Sequence, residues 1–136
     1  MIIKTLNQES IQQINLFENI TKARVKELFI NNEQYIFIIE KGDMSKAIGK
    51  QGSNIRRISA LLRKKIKVVE YDENALKFFN NLLYPLKIED IKKTEKAIEV
   101  TSDTKTKALL IGRDRRNLKF YSKVLKEYFN TELIVK

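Results

Sequence analysis

The chain has 136 residues, of which 43% are hydrophobic, with 4 Gly and 1 Pro; this leaves a core to bury and excludes low-complexity and collagen-like chains. It has no Cys and no His, which rules out disulfide frameworks, thiolate metal sites, Ser-His-Asp triads and Cys or His nucleophiles. The 27 Lys and Arg outnumber 17 Asp and Glu, for a net charge of +10, so the expected partner is a polyanion, nucleic acid first among them, with a carboxylate-based enzyme as the competitor. The longest apolar run, Tyr35 to Ile39, is far below the roughly 18 residues of a membrane span, and Met1-Ile2-Ile3-Lys4 lacks the order of a signal peptide. The expectation is a cytoplasmic protein with no membrane partner.

Along the chain, Ile11, Ile14 and Phe17 share one helical face behind polar Asn7, Gln8 and Ser10, each a candidate cap, which predicts a helix from Gln8 to Asn19. Two β-rich runs follow, Arg24 to Asn31 and Gln34 to Glu40, joined by Asn31-Asn32-Glu33 as a tight antiparallel connection. The second run is apolar on both faces and is therefore expected at the centre of its sheet. Met44, Ala47 and Ile48 mark a short helix before Gly49-Lys50-Gln51-Gly52. Ile55, Ile58, Leu61 and Leu62 mark another from Asn54, and Lys67 to Tyr71 reads as a strand.

The same order then starts again. Ala75, Phe78, Phe79, Leu82 and Leu83 follow helical spacing until Pro85 stops the helix. Leu86 to Thr94 and Ala97 to Thr101 read as strands, Thr104 to Ile111 as a short helix, Leu118 to Tyr128 as a long one and Glu132 to Val135 as a last strand. Ile48-Gly49-Lys50 aligns with Ile111-Gly112-Arg113, and Asn54-Ile55-Arg56 with Asn117-Leu118-Lys119. The prediction is an α+β chain of two units, 1–72 and 73–136, each built as helix, strand, strand, helix, loop, helix, strand.

The loops carry the chemistry. Glycine permits close approach of the backbone to a sugar-phosphate chain, and the N–H groups that open the next helix favour phosphate. Between Met44 and Val69 there is no Asp or Glu, whereas Lys46, Lys50, Arg56, Arg57, Arg63, Lys64, Lys65 and Lys67 are present, a one-sign run suited to phosphate. A P-loop is excluded, because six residues separate Gly42 from Gly49 and Gln51 follows Lys50. Taken alone, Gly49 and Gly52 also read as a helix C-cap and turn, and Arg63-Lys64-Lys65 as a solvated helix face. Ile48, Ile55 and Ile58 read as core, with Ile48 also at the lip of the loop.

The element order and Ile48-Gly49-Lys50-Gln51-Gly52-Ser53-Asn54-Ile55 resemble the KH domain of the second topological type, in which a Gly-x-x-Gly loop clamps a short single strand. Phe17-Glu18, Thr21-Lys22-Ala23-Arg24-Val25, Ala47 to Asn54 and Val68-Val69-Glu70-Tyr71 further resemble the short archaeal NusA-like transcription termination/antitermination proteins, which consist of two KH domains. The resemblance covers nearly the whole chain and implies RNA binding during transcription elongation and termination. It lends loop contacts to Gly49, Lys50, Gln51 and Gly52, and to Gly112 and Arg113 in the second copy. Arg115 departs from the pattern by standing where a second glycine is expected, so the second loop is degenerate; its Cβ opposes close backbone approach, although its guanidinium has the reach to meet a phosphate from farther away.

With the neighbouring basic and polar residues, the candidate RNA-binding set is Lys46, Ile48, Gly49, Lys50, Gln51, Gly52, Asn54, Arg56 and Arg57 in the first unit and Gly112, Arg113, Arg115, Arg116 and Asn117 in the second. At roughly four nucleotides per loop, two loops accommodate about eight to ten. No catalytic residue, metal or cofactor is expected, since Asp72, Glu73, Glu89 and Asp90 form no acid/base motif. The partners expected are single-stranded RNA, as nascent transcript or rRNA, and RNA polymerase as a further candidate. The larger bacterial relatives carry a polymerase-binding N-terminal domain and a barrel-type domain for which 136 residues leave no room, so only their RNA-binding part carries over. The competing readings are a ribosome-associated or rRNA-processing RNA binder and a KH-based protein-interaction adaptor.

Overall fold

The computed structural model describes residues 3–4, 8–30 and 34–136, the first two as backbone only. The chain divides into two units, Met1–Asp72 and Glu73–Lys136. In the first, α1 (Gln8–Thr21) runs two residues beyond the end expected from its apolar stripe. Thr21 closes it, because its Oγ1 donates to the Phe17 carbonyl (2.8 Å) and accepts from the Ala23 N–H (3.0 Å), while Lys22 turns left-handed at φ 64°. Of the candidate caps, Ser10 lies buried inside the helix and Asn7 lies outside the described residues.

Strands β2 (Val25–Ile30) and β3 (Gln34–Ile39) pair antiparallel; the connection through Asn31, Asn32 and Glu33 lies outside the described residues. A parallel pairing joins β3 to β4 (Lys65–Glu70), so β3 is central as its two-sided apolar pattern predicts, and Tyr35 to Ile39 are all buried. A two-residue β1 (Ile3–Lys4) pairs with the other side of β2 and completes the order β1-β2-β3-β4. It is too short to show a period in the sequence. A parallel pair needs a crossover, supplied here by α2 (Met44–Ile48), the glycine loop and α3 (Ser53–Leu62). Strand β4 starts two residues earlier than expected, since Arg63 ends α3 in a left-handed turn at φ 54° and releases the chain at once.

Helices and sheet meet over a core of Phe17, Ala23, Leu28, Tyr35, Phe37, Ile39, Ala47 and Ile58. Phe17 stacks on Phe37 with ring centroids 4.2 Å apart, and burying one such ring contributes about 2 to 3 kcal/mol. Three carboxylates fix the corners around this core. Glu18 accepts from the Val25 N–H (2.8 Å), Asp43 from the Arg24 N–H (2.8 Å) and Glu70 from the Gly42 N–H (2.7 Å). The last two position the entry to α2, and hence the loop that follows it.

The second unit repeats the order as α4 (Ala75–Leu83), β5 (Asp90–Lys93), β6 (Ala97–Thr101), α5 (Thr104–Ile111), α6 (Arg116–Phe129) and β7 (Glu132–Val135). Its sheet runs β5-β6-β7, antiparallel then parallel. Strand β5 is shorter than the expected Leu86 to Thr94. Leu86 is held in a turn after Pro85 by its N–H to the Leu83 carbonyl (2.9 Å), and pairing starts only where Glu89 donates to Thr101 (3.0 Å). Beyond Thr101 the neighbouring strand leaves to cap α5: Asp103 accepts from the Thr106 N–H at 2.7 Å, and that bond holds its carboxyl below the usual aspartate range. Phe78 packs on Tyr128 and Phe129 (5.5 and 5.7 Å), and Phe79 lies edge-on to Tyr121 (6.0 Å), whose hydroxyl is pushed up by burial.

Candidate nucleic-acid interface

Each unit places a tight loop between its two consecutive helices. In the first, Gly49 ends α2 at φ 76°, ψ 174°, a conformation open essentially only to glycine. A Cβ on it would stand 2.7 Å from Asn54 Cγ and 3.0 Å from the Asn54 backbone N. Asn54 is held there because its Nδ2 donates to the Lys46 carbonyl at 2.8 Å, one of the carbonyls a helix end leaves without a helical partner. Gln51 (φ 54°, ψ 33°) and Gly52 (φ 76°, ψ 14°) are left-handed, and the Gly52 N–H donates back to the Gly49 carbonyl at 3.2 Å. Arg56, one turn into α3, donates through Nη1 to the Gln51 carbonyl. The side chains of Lys50 and Gln51 stay exposed at the tip, with the first N–H groups of α3 immediately behind and the positive end of its dipole favouring an anion there.

The second loop has the same backbone. Gly112 sits at φ 73°, ψ 172°, Asp114 at φ 55°, ψ 27° and Arg115 at φ 62°, ψ 23°. The Arg115 N–H donates to the Gly112 carbonyl at 3.2 Å, and Asn117 Nδ2 donates to the Leu109 carbonyl at 3.0 Å. The departure expected from Arg115 is therefore not one of backbone shape. A left-handed residue costs roughly 1 to 2 kcal/mol without glycine, and two such residues stand here in succession.

The predicted site residues sort by what they touch. Asn54, Asn117 and Arg56 brace loops, each through a backbone carbonyl. Lys46 is exposed and lies 3.9 Å from Asp43. Arg57, Arg113, Arg115 and Arg116 are exposed, and Ile48 is half-buried beside the first loop. In the second unit Leu109 stands where the first has Lys46. Lys67, part of the basic run, is half-buried on β4 rather than exposed, and burial lowers its pKa.

Beside the first loop lies an open cleft of about 490 Å³, lined by Ile55, Arg56, Ser59 and Ala60 of α3, Lys65 and Ile66 of β4, and Gln34 of β3. Apart from Arg56 these residues are absent from the sequence-derived set. Their signal was the helical spacing from Arg56 to Ser59 and Ala60, which puts them on one face. Among the described residues no helix is long and apolar enough to cross a membrane, and no group of three or more His, Cys, Asp or Glu is placed to hold a metal ion.

The KH domain family matches residues 11–82. Among curated relatives, "Probable transcription termination protein NusA" of Methanococcus vannielii is 37% identical over 86 residues, which is 63% of this chain and only 50% of that relative. The protein of the same name from Methanocaldococcus jannaschii is 29% identical over 90% of this chain and 69% of its own length, and that from Halococcus morrhuae 26% identical over 94% of each. A solved structure titled "Crystal structure of APE1850" superposes with a TM-score of 0.69 at 25% identity, covering 96% of this chain and all of that one. With more than half of its residues matched and the α-β-β-α-loop-α-β order built twice, the chain belongs to the KH domain family, as two tandem type II units similar to archaeal NusA.

Proposed function

We propose that this chain is a non-enzymatic protein that binds single-stranded RNA and acts in transcription termination or antitermination. The observation that carries the reading is the first loop, where Lys50 and Gln51 stand exposed at the tip of a left-handed glycine turn that leads into α3, in a stretch from 44 to 69 free of carboxylates. Lys50 supplies a point charge to a phosphate, Gly49 and Gly52 keep the backbone bare, and the cleft beside Arg56 offers apolar walls with polar edges, suited to an unstacked base. A duplex presents neither free bases nor a bendable backbone to such a loop. The names of the archaeal relatives support a role in transcription; on this reading the nascent transcript is the ligand and RNA polymerase a candidate partner.

The test is binding of matched single-stranded and duplex RNA across a salt series. With about four to eight phosphates neutralised, the log-log slope on single strands is expected at roughly −3 to −6. Salt-independent binding, or equal affinity for the duplex, defeats the proposal. Crosslinking in native cells followed by sequencing then separates nascent transcripts from ribosomal RNA.

A further inference from the structure

An aromatic ring is among the largest apolar surfaces a chain can bury, and this chain buries all of its rings but one. Of the 7 Phe and 5 Tyr, all among the described residues, only Tyr84 is exposed, at 74%. It stands where α4 ends: its N–H still donates to the Asn80 carbonyl at 3.1 Å, which continues the helix, and at ψ 135° the chain then turns away. Phe78, Phe79, Leu82 and Leu83 take the buried side of α4. That leaves Lys77, Asn80 and Tyr84, at i, i+3 and i+7, as one exposed stripe about 10 Å long, with Lys87 just beyond it. From Asn74 to Ile88 there is no Asp or Glu, and among the described residues no hydrogen bond, ion pair or ring contact engages the side chains of Lys77, Asn80, Tyr84 or Lys87. The equivalent helix of the first unit shows that the fold needs none of this, because α1 exposes Glu9, Ile11, Gln12, Asn15 and Asn19, with neither ring nor cation.

We infer that the exposed stripe of α4 is a separate RNA contact, outside the glycine loops, in which Tyr84 stacks on an unpaired base while Lys77 and Lys87 hold the phosphates to either side. This rests on the RNA-binding reading above. A ring presented edge-free to solvent accepts the π-face of any base, so such a contact adds affinity without choosing a sequence. The Asn80 amide, one turn before the ring, carries both a donor and an acceptor for a base edge or a ribose hydroxyl. A protein partner would need a contiguous apolar patch to bury, whereas apart from Pro85 the exposed neighbours of this ring are Lys77, Asn80 and Lys87. One ring between two cations has the chemistry of a nucleotide site. A duplex keeps its bases stacked on each other and offers the ring nothing.

The experiment uses the full chain and a labelled single-stranded RNA of random sequence, about 20 nucleotides long so that it exceeds the roughly eight to ten that two loops accommodate. Tyr84→Ala is expected to lower affinity about fivefold or more, the value of one base–aromatic stack, and Tyr84→Phe, which keeps the ring, to bind as the parent does. The chain has no Trp, so the Tyr84→Trp variant reports the site directly, and its emission is expected to be quenched as RNA binds. Lys77→Ala with Lys87→Ala is expected to flatten the log-log salt slope by about 1.4, at about 0.7 per phosphate. Ile11→Ala, on the exposed side of α1, is expected to change nothing. Parental affinity in Tyr84→Ala, or unquenched emission from Tyr84→Trp in the bound complex, overturns the inference and leaves the ring as a contact for a protein. A loss in Tyr84→Phe as large as in Tyr84→Ala overturns stacking as its basis. Failure of the unaltered protein to bind the RNA overturns the reading beneath it.

Discussion

Alanine at Gly49 and alanine at Gly52 are nominally the same substitution in one motif, and the structure separates their costs. At Gly49 the backbone, φ 76° and ψ 174°, costs an L-residue of order 1 to 3 kcal/mol. The new Cβ would also meet Asn54 Cγ at 2.7 Å and its backbone N at 3.0 Å. Swinging the Asn54 side chain away gives up its bond to the Lys46 carbonyl, about 0.5 to 1.5 kcal/mol, and does nothing for the backbone contact. At Gly52, φ 76° and ψ 14° is ordinary left-handed helix, costing about 1 to 2 kcal/mol, and the single close atom is Arg56 Nη1 at 3.1 Å, the movable end of an exposed side chain. Both variants regain about 0.4 to 1 kcal/mol from the stiffer unfolded chain. The expected net losses are about 2 to 4 kcal/mol for Gly49→Ala and about 1 kcal/mol for Gly52→Ala. Because the units need not unfold together, the measurement is amide hydrogen exchange in α3 along a urea series, which reports the first unit directly. Equal losses at the two positions would show that the pairing of Gly49 with Asn54 is not what shapes the loop.

Two further outcomes follow from the same geometry. Lys50→Asp with Gln51→Asp is expected to lower single-stranded RNA affinity at least tenfold while moving unfolding free energy by no more than about 1 kcal/mol, since both side chains are exposed; loss of the folded far-UV spectrum would instead make them structural. Asp103 is expected to titrate below ordinary aspartate because the Thr106 N–H stabilises its charged form; a depressed carboxyl contributes stability that is complete above the unfolded value of about 3.9 and disappears as pH falls through the lower folded value. Carboxyl NMR titration gives its midpoint, and Asp103→Asn, which keeps an acceptor without the charge, should flatten the acid limb of the second unit's stability; an unchanged limb refutes the assignment.

The elements were legible in the sequence wherever burial has a period. Phe78, Phe79, Leu82 and Leu83 announced α4, and the unbroken Tyr35 to Ile39 run announced a central strand; all are buried. The residues carrying the family resemblance outside the loop prove to be its corner fittings: Glu18 receives Val25, Thr21 closes α1, and Glu70 receives Gly42. Other features escaped because periodicity reports which face is buried, not the dihedral angles of one residue or the partner of one polar side chain. Asn54 and Arg56 read as surface groups facing a ligand, and nothing in their spacing shows that Asn54 is tied to a carbonyl at the end of α2 and Arg56 to one in the loop. The cleft residues Ser59 and Ala60 carry neither charge nor bulk to mark them, and β1 spans two residues.

The two glycines of the motif therefore meet different requirements, and this changes what a degenerate copy means. The first must lie in a region closed to side chains, and it is pressed against an asparagine five residues on, at Gly49–Asn54 and again at Gly112–Asn117. The second needs only a left-handed turn, which Arg115 adopts in the second unit at φ 62°. Replacing the first glycine should dismantle the loop, whereas replacing the second leaves its frame and alters what stands on it. Arg115 on an intact frame is thus a change of surface chemistry rather than a loss of architecture, and the integrity of such a loop is better judged from its first glycine and the bracing asparagine than from the spacing of two glycines.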